Sequence, residues 1–360
     1  MRFAGKLKAY FLRFLTHKKK NVFDIKNARN ILFLRYDRIG DMVITTPVFR
    51  ELKQKYPEIN ISVLASSINQ NVLQNNPYVD KVYLNYKNNL FKDFPTLLKL
   101  RRNKYDVCVE FDHSVIPHLI VRLKIIKPKK IISVFKEGRY GVKGTELELY
   151  DYYTEKTEGS HFQEIWLNTL NPFGVKPKSS QYELFCSADQ KKKADDYLSL
   201  FEKKMLVGIN IEGAIQGKRI QSNKLEEICQ GIYHINNNVQ IILLSSPKKH
   251  KNILQFCQTL NLSYVIPSYK TESILDVAAL IEKLDLIISP DTSIVHLASA
   301  FNRPIISIHE NNEDSYQLFA PKSEINRTVF AKYQKGIDGF SVAHLLKYCD
   351  ELMKLIEIKH

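Results

Sequence analysis

The feature that most constrains the fold of this chain is a repeated alternation of short apolar runs with segments of helical period. The runs have the length of strands, and the series stops and restarts once. They cover residues 31–34, 61–65, 79–84, 105–111 and 130–135, and then residues 205–211, 239–244, 264–266, 284–288 and 304–308. Strands that alternate with helices form βαβ units and parallel sheets. The sequence therefore predicts an α/β chain with two doubly wound halves.

The length of the chain also favours two domains. At 360 residues it exceeds what one hydrophobic core usually organises. A stretch rich in Pro, Ser and Lys separates the two series of runs, as is typical of a linker. We therefore predict a basic amphipathic segment at 1–20, two domains at 21–185 and 186–340, and a C-terminal helix at 341–360.

The charge balance indicates an anionic partner. Lys and Arg number 53 against 38 Asp and Glu, a net charge of +15, which attracts nucleic acid, anionic lipid or phosphorylated small molecules. The basic residues are spread along the chain and form no module interleaved with aromatic residues, which argues against nucleic acid. A non-enzymatic polyanion-binding protein remains an alternative. Five cysteines without a C-x-x-C pair are typical of reduced thiols in a cytosol.

The N-terminal segment "MRFAGKLKAYFLRFLTHKKK" has two interpretations. No apolar run in the chain approaches the roughly 18 residues that cross a bilayer, and Arg13 interrupts any secretion signal. At about 100° per residue, one helical face collects Phe3, Leu7, Tyr10, Phe11 and Phe14. This pattern is typical of a helix on an anionic membrane surface. A helix that packs on the protein body is the alternative, because Leu12 lies off this face.

The two glycine-containing loops lack the common nucleotide-binding fingerprints. The turn after residues 31–34 reads "RYDRIGDMVITTP", so an NAD oxidoreductase is not supported. The loop "GAIQGKR" at 213–219 is one residue short of a P-loop, and Arg219 stands where Ser or Thr would hold Mg²⁺. Gly213 and Lys218 then remain as a diphosphate clamp without a metal, or as an ordinary surface turn.

The stretch "SPDTSIVHLASAFNRP" at 289–304 lies where open α/β sheets bind ligands, because it follows the carboxyl end of an apolar run. We predict Asp291 as the N-cap of a helix over 292–301. The amides of Thr292, Ser293 and Ile294 would then favour phosphate oxygens. An ordinary capped helix is the alternative. His296 could contact the ligand or simply pack in the core.

Together these motifs resemble one known family. "DLIISPDTSIVHLASAFNRPIISI" is similar to the C-terminal signature of glycosyltransferase family 9, the heptosyltransferases of lipopolysaccharide core synthesis. "ILFLRYDRIGDMVITTPVFRELKQKYP" resembles its N-terminal signature, in which a loop ending Gly-Asp leads into a helix. "HFQEIWLNTLNPFGV" is similar to the segment that closes its first domain.

The resemblance implies the GT-B fold, two Rossmann-like domains facing a central cleft. The acceptor would bind the N-terminal half and the nucleotide sugar the C-terminal half, with inversion at the anomeric carbon and no metal or other cofactor. By motif position Asp41 is the general base and Lys218 lies near the donor diphosphate. The donor-binding turn comprises Asp291, Thr292, Ser293 and His296. From the residues alone, Asp41 also fits an N-cap for a helix beginning near Met42.

Several departures from the family pattern leave the donor open. Ser293 replaces a glycine, Ile220 replaces a tryptophan, and "HENNED" at 309–314 replaces Gly-Pro-Thr. "SSPKKHK" at 245–251 lacks the glutamate that binds ribose. ADP-heptose is the favoured donor, and a different nucleotide sugar is the alternative.

The acceptor is expected to be an anionic glycolipid, because basic residues lie in two loops of the first half. The predicted acceptor-binding residues are Arg35, Arg38 and Gly40 after the first strand, and Arg139 and Lys143 in "FKEGRYGVKG" at 135–144. With the N-terminal helix, they indicate a cytoplasmic enzyme that is peripheral on the inner face of the bacterial inner membrane.

Overall fold

A computed structural model describes residues 3–19, 21–86, 89–155, 159–201, 204–213 and 216–359. Residues 1, 2 and 20 of the N-terminal segment, and 214 and 215 of the predicted clamp loop, lie outside this part of the chain. The chain divides into two compact units, Met1–Gln181 and Tyr182–His360. The N-terminal helix belongs to the first unit and the C-terminal helix to the second.

The first unit contains a six-stranded parallel sheet in the order β3-β2-β1-β4-β5-β6. Its strands are β1 (Asn30–Leu34), β2 (Asn60–Ser66), β3 (Lys81–Asn85), β4 (Val107–Glu110), β5 (Lys130–Ser133) and β6 (Tyr152–Tyr153). The central strands β1 and β4 pair from Ile31 opposite Val107 to Leu34 opposite Glu110. Their side chains are buried along nearly the whole length, as expected for strands covered on both faces.

Helices cover both faces of this sheet. They are α1 (Phe3–Thr16), α2 (Ile39–Lys55), α3 (Leu90–Arg102), α4 (Pro117–Ile126) and α5 (Phe162–Leu167). Short 3-10 turns lie at Ile25–Asn27, Gln70–Leu73, Gly144–Glu146 and Asn168–Phe173. Rings of Phe33, Phe49, Phe111 and Trp166 meet in the core at centroid distances of 5.0–6.2 Å, beneath the carboxyl ends of β1 and β4.

The second unit repeats this topology. Its parallel sheet has the order β12-β11-β10-β7-β8-β9, so its strands, numbered within the unit, follow the same 3-2-1-4-5-6 order as the first sheet. The strands are β7 (Met205–Asn210), β8 (Val239–Leu244), β9 (Val265–Pro267), β10 (Leu286–Pro290), β11 (Ile305–His309) and β12 (Asn326–Phe330).

The helices of the second unit are α6 (Ala188–Leu198), α7 (Ser222–Ile235), α8 (His250–Leu260), α9 (Ile274–Ile281), α10 (Ser293–Ala300), α11 (Glu313–Phe319) and α12 (Val342–Lys359). Two 3-10 turns lie at Ser199–Phe201 and Gln216–Lys218. The C-terminal α12 contributes buried Leu345, Cys349 and Leu352 to the core of this unit. It packs closely on α7 at Gly231, where any larger residue would collide, since a Cβ there would lie 2.3 Å from the Leu346 side chain.

The prediction of two doubly wound halves is confirmed, and each predicted apolar run overlaps a strand. Two strands, β6 and β12, were not predicted. Both lie at an edge of their sheet, and neither is a continuous buried apolar run. None of the described helices combines the length and apolar character needed to span a membrane.

Candidate active site

The candidate site residues of the first unit gather where β1 and β4 end side by side. In a sheet of this strand order, the chain leaves these two central strands in opposite directions and opens a crevice at their carboxyl ends. Arg35, Asp37, Arg38 and Asp41 follow β1, and Asp112 follows β4. We call this group the first crevice.

Arg35 organises the first crevice from inside the unit. Its side chain is buried, and the guanidinium carbon lies 3.7 Å from the centroid of Trp166 and 5.1 Å from that of Phe111. Its Nη1 donates to Asp37 Oδ2 at 3.0 Å, and its Nη2 lies 3.9 Å from Asp41 Oδ1. The predicted acceptor-binding arginine is therefore held under the loop, where it positions two carboxylates.

Asp41 lies within helix α2, and the N-cap prediction for it is wrong. The helix begins at Ile39 with Arg38 as the N-cap residue, so Asp41 is its third residue and Gly40 its second. The Asp41 carboxylate accepts a hydrogen bond from the Arg38 amide at 3.3 Å. The positive end of the helix stabilises a carboxylate there. Asp41 is thus fixed at a helix start, while the side chain of Arg38 is exposed.

Sequence reasoning missed Asp112, a second carboxyl group in the first crevice. Its amide donates to Glu110 Oε2 at 2.9 Å, and Glu110 forms a fully buried ion pair with Lys136 at 2.5 Å. Burial raises the pKa of Asp112 to about 7, and the negative charges of Glu110 and Asp37 act in the same direction. The signal was present in "VEFDH", where two acidic residues follow a buried run at the carboxyl end of a strand.

The basic loop at 135–144 is an ordered turn. The backbones of Arg139 and Val142 exchange two hydrogen bonds of 2.9 Å. Tyr140 and Gly141 between them have φ values of 55° and 80°, a left-handed pair typical of a tight hairpin turn. Arg139 and Lys143 are exposed, and Arg139 is held in place because its Nη1 donates to the Val115 carbonyl oxygen at 2.7 Å.

In the second unit, β7 and β10 end side by side in the equivalent position, and we call this the second crevice. Asn210, at the end of β7, donates from Nδ2 to Ser289 Oγ at 3.0 Å and to Thr292 Oγ1 at 3.1 Å. This amide therefore joins the two strand ends. Neither Asn210 nor Ser289 was predicted as a site residue, because their pairing spans 79 residues of sequence.

The start of α10 differs from the prediction. Thr292, not Asp291, is the N-cap residue, and its hydroxyl accepts from the Ile294 amide at 3.3 Å. Ser293 is the first residue of the helix. The Ile294 amide, predicted to bind phosphate, is thus engaged by the cap. The carboxylate of Asp291 does not cap the helix, and it forms an ion pair with Lys218 instead.

Lys218 lies between two carboxylates in the second crevice. Its Nζ is 3.2 Å from Asp291 Oδ2 and 3.3 Å from Glu310 Oε1. Burial alone would raise the pKa of Asp291, but His309 and Lys218 beside it lower that pKa by more. Burial lowers the pKa of His309, although the negative charge of Asp291 acts in the opposite direction. Gly213 allows this arrangement, because a Cβ there would lie 2.0 Å from the Lys218 carbonyl oxygen.

Two glutamates of the second crevice were also missed. Glu310 follows β11 directly, in the "HENNED" segment that departs from the family pattern. Glu212 follows β7 and accepts from Ser246 Oγ at 3.1 Å, with Lys249 Nζ at 3.7 Å. A carboxylate is therefore present beside "SSPKKHK" after all, supplied by a neighbouring strand.

His296 lies in the interior of α10. It is buried, and its ring centroid is 6.3 Å from those of Tyr182 and Phe319. These contacts match the packed-core interpretation, and its role in donor binding stays a prediction. Among the described residues, no cluster of three or more His, Cys, Asp or Glu side chains is arranged to hold a metal ion.

Comparisons with known proteins agree with this topology. The family model described as glycosyltransferase family 9 (heptosyltransferase) matches residues 97–338. Lipopolysaccharide heptosyltransferase 3 of Escherichia coli is 24% identical over 75% of this chain and 80% of its own length.

Two solved structures share the fold. The glycosyl transferase family 9 protein from Veillonella parvula DSM 2008 has a TM-score of 0.75 at 16% identity, over 92% of this chain and 99% of that one. The E. coli heptosyltransferase WaaC with ADP has a TM-score of 0.70 at 13% identity, over 90% of this chain and 99% of that one. The expected GT-B fold class is thereby confirmed.

Proposed function

Because the chain belongs to glycosyltransferase family 9, the heptosyltransferase family, we propose that it transfers heptose from ADP-heptose to an anionic sugar of the lipopolysaccharide core. Support for this donor comes from E. coli WaaC, which has the same fold and is known with ADP and with ADP-2-deoxy-2-fluoro heptose. Support for the acceptor comes from the exposed Arg139 and Lys143 of the first unit.

The observation that carries the donor proposal is the position of Lys218, which contacts Asp291 just before α10 begins. Its ammonium group already binds two oxygen anions, Asp291 and Glu310, at 3.2 and 3.3 Å. Phosphate oxygens have the same charge-assisted hydrogen-bonding requirement as these carboxylate oxygens. A diphosphate that enters the second crevice would take their place at Lys218, while the positive end of α10 favours its charge.

Glu212 is suited to the ribose of the same nucleotide. Its carboxylate lies at the end of β7 and already accepts a hydroxyl hydrogen bond, from Ser246. A ribose hydroxyl is a donor of the same kind. We therefore assign to Glu212 the part that the resemblance gives to a glutamate in the next loop.

In the proposed reaction, Asp41 removes the proton of the acceptor hydroxyl. The hydroxyl oxygen forms a bond to the anomeric carbon of heptose, and the bond from that carbon to the diphosphate breaks with inversion. The proton ends on the Asp41 carboxylate. The negative charge that develops on the departing ADP is stabilised by Lys218.

The donor is tested by offering the protein a panel of nucleotide sugars in a thermal-shift assay. We expect ADP-heptose to stabilise the fold most, since ligands that bind only the native state raise its stability. Mass spectrometry of a deacylated core oligosaccharide should then record the gain of one heptose, with less product from a dephosphorylated acceptor. Transfer from a different nucleotide sugar, with none from ADP-heptose, would assign the chain to the alternative donor class.

A further inference from the structure

Helix α1 has two apolar faces on opposite sides. At about 100° per residue, Ala9, Leu12 and Thr16 fall on one side, and all three are buried. Ala9 and Leu12 pack with residues of α4 in the core of the first unit, and the Thr16 hydroxyl donates to the Leu12 carbonyl oxygen. On the opposite side, Leu7, Tyr10, Phe11 and Phe14 are 61%, 70%, 59% and 69% exposed. We call these four residues the exposed stripe.

The exposed stripe is presented by a helix that the unit holds in place. Arg13 pairs with Glu146 at 2.7 Å, and Lys18 pairs with Asp151 at 2.5 Å. His17 Nδ1 lies 2.7 Å from Glu148 Oε2. Packing of the Leu12 face and these contacts to residues 146–151 fix the helix, so the stripe is not needed for its attachment. Four large apolar side chains in a row at a surface mark an interaction site more often than isolated ones do.

Lysines border the N-terminal half of the exposed stripe, whereas Arg13 and Lys18 are paired with carboxylates. Residues 1–20 contain seven Lys or Arg and no Asp or Glu. Lys6 and Lys8 are exposed beside the stripe, and Lys8 Nζ lies 5.5 Å from the centroid of Tyr140. The Arg139 guanidinium lies 4.9 Å from the same ring. The stripe is therefore continuous with the basic turn at 135–144.

We propose that the exposed stripe and its basic border dock on an anionic lipid bilayer. Aromatic and aliphatic side chains enter the boundary between headgroups and acyl chains, while lysines contact the anionic headgroups. A second copy of this chain fits less well, because two-fold contact through the stripe would bring the same positive border against itself. Docking would give the peripheral attachment to the inner membrane face that the sequence predicts. It goes beyond the proposed reaction and does not depend on it.

The test is sedimentation of the full-length protein with vesicles. Wild type, F11S/F14S and a control, L200S/Y333S, are compared on phosphatidylcholine vesicles with and without phosphatidylglycerol. Leu200 and Tyr333 are similarly exposed, at 72% and 56%, but lie in the second unit. We expect wild type and control to bind the anionic vesicles, and F11S/F14S to bind at least about tenfold more weakly, since two aromatic side chains no longer leave water.

A charge variant gives a second measurement. K6E/K8E keeps the stripe intact, and we expect it to weaken binding to anionic vesicles and to reduce the dependence on salt. Melting temperatures of all variants should match wild type, because the altered side chains are exposed. Equal vesicle binding by F11S/F14S and wild type would overturn the proposal. The proposal would also be overturned if wild type did not bind vesicles but self-associated with rising concentration, and F11S/F14S abolished this association. A second copy of the chain would then be the partner.

Discussion

The two crevices occupy the same position in two sheets of the same strand order, yet each is built around a different cation. In the first crevice Arg35 is 2% exposed and stacks on Trp166 at 3.7 Å. In the second crevice the Lys218 side chain is 15% exposed and lies between Asp291 and Glu310. One cation is locked into the aromatic core, and the other pairs with two carboxylates and is partly exposed.

This difference suits the two cations to different tasks, one to hold neighbouring side chains in position and the other to exchange its anionic partners. A stacked guanidinium with several fixed hydrogen bonds has little freedom to change partners, whereas an ammonium on a flexible chain can exchange one oxygen anion for another. Arg35 is thus suited to fix the carboxylates of the first crevice. Lys218 is suited to release its carboxylates and bind a diphosphate. The predictions below test this division, beginning with the largest expected effect.

Removing the proposed base should affect chemistry most. Asp41→Asn keeps the size of the side chain and an oxygen that can accept from the Arg38 amide, but it removes the proton acceptor. We expect the single-turnover rate of heptose transfer to fall by about 10² to 10⁴, with the melting temperature near that of wild type. Asp37→Asn is the matched control in the same loop. Normal turnover by Asp41→Asn would leave this carboxylate with only its structural role at the helix start.

Removing the locked cation should affect stability. Arg35→Ala removes the guanidinium beside Asp37 and Asp41 and leaves a space beside Trp166, so we expect a loss of about 3 to 5 kcal/mol in the free energy of unfolding. Arg35→Lys should also be destabilising, because it keeps the charge and loses the stack. Urea denaturation measures both. A stability of Arg35→Lys equal to wild type would show that charge alone is required in the first crevice.

Removing the exchangeable cation should affect turnover. We expect Lys218→Ala to lose about 2 to 4 kcal/mol of transition-state stabilisation, the size of one lost electrostatic contact to developing charge. Lys191→Ala is the matched control, since Lys191 also pairs with a carboxylate of the second unit, Glu282, at 3.1 Å. Steady-state kcat/KM values compare the two. Equal losses in both variants would indicate a general effect of positive charge.

The last of these predictions concerns pH. The pKa of Asp112 is raised to about 7, so the folded state favours its protonated form. That contribution is complete below the unfolded value of about 4 and is lost as the pH rises through about 7. Between pH 5 and pH 8, we expect wild type to lose melting temperature relative to Asp112→Asn, which cannot ionise. If the melting temperatures of the two proteins changed equally with pH across this range, the raised pKa of Asp112 would be contradicted.

The sequence predicted the strands that form continuous apolar runs. It did not predict the edge strands β6 and β12, or the contacts between residues that are distant in the sequence. The central strands were predicted because both their faces are buried. The edge strands were missed because β6 pairs over two residues and β12 is mostly half-buried. Likewise Asp41 and Lys218 were identified by motif. Arg35 and Asp291 were predicted as site residues too, but the contacts of Arg35 with Trp166 and of Lys218 with Glu310 were not, because these residues meet only after the sheets form.

The cap at α10 illustrates a limit within a short motif. Asp291 and Thr292 are both good N-cap residues, and the sequence does not choose between them. In the fold, the Asp291 amide donates to the Ile308 carbonyl of β11 at 3.0 Å, which extends the strand by one residue. The helix consequently begins one residue later, and the carboxylate turns to Lys218.

The division of labour between the crevices is tested most directly by calorimetric titration of ADP into wild type, Asp41→Asn and Lys218→Ala. If the second crevice binds the diphosphate, Lys218→Ala should weaken ADP binding by about tenfold or more, the scale of a charge-assisted hydrogen bond. Asp41→Asn should bind ADP as wild type does. Unchanged affinity in Lys218→Ala, or equal weakening in both variants, would contradict the account.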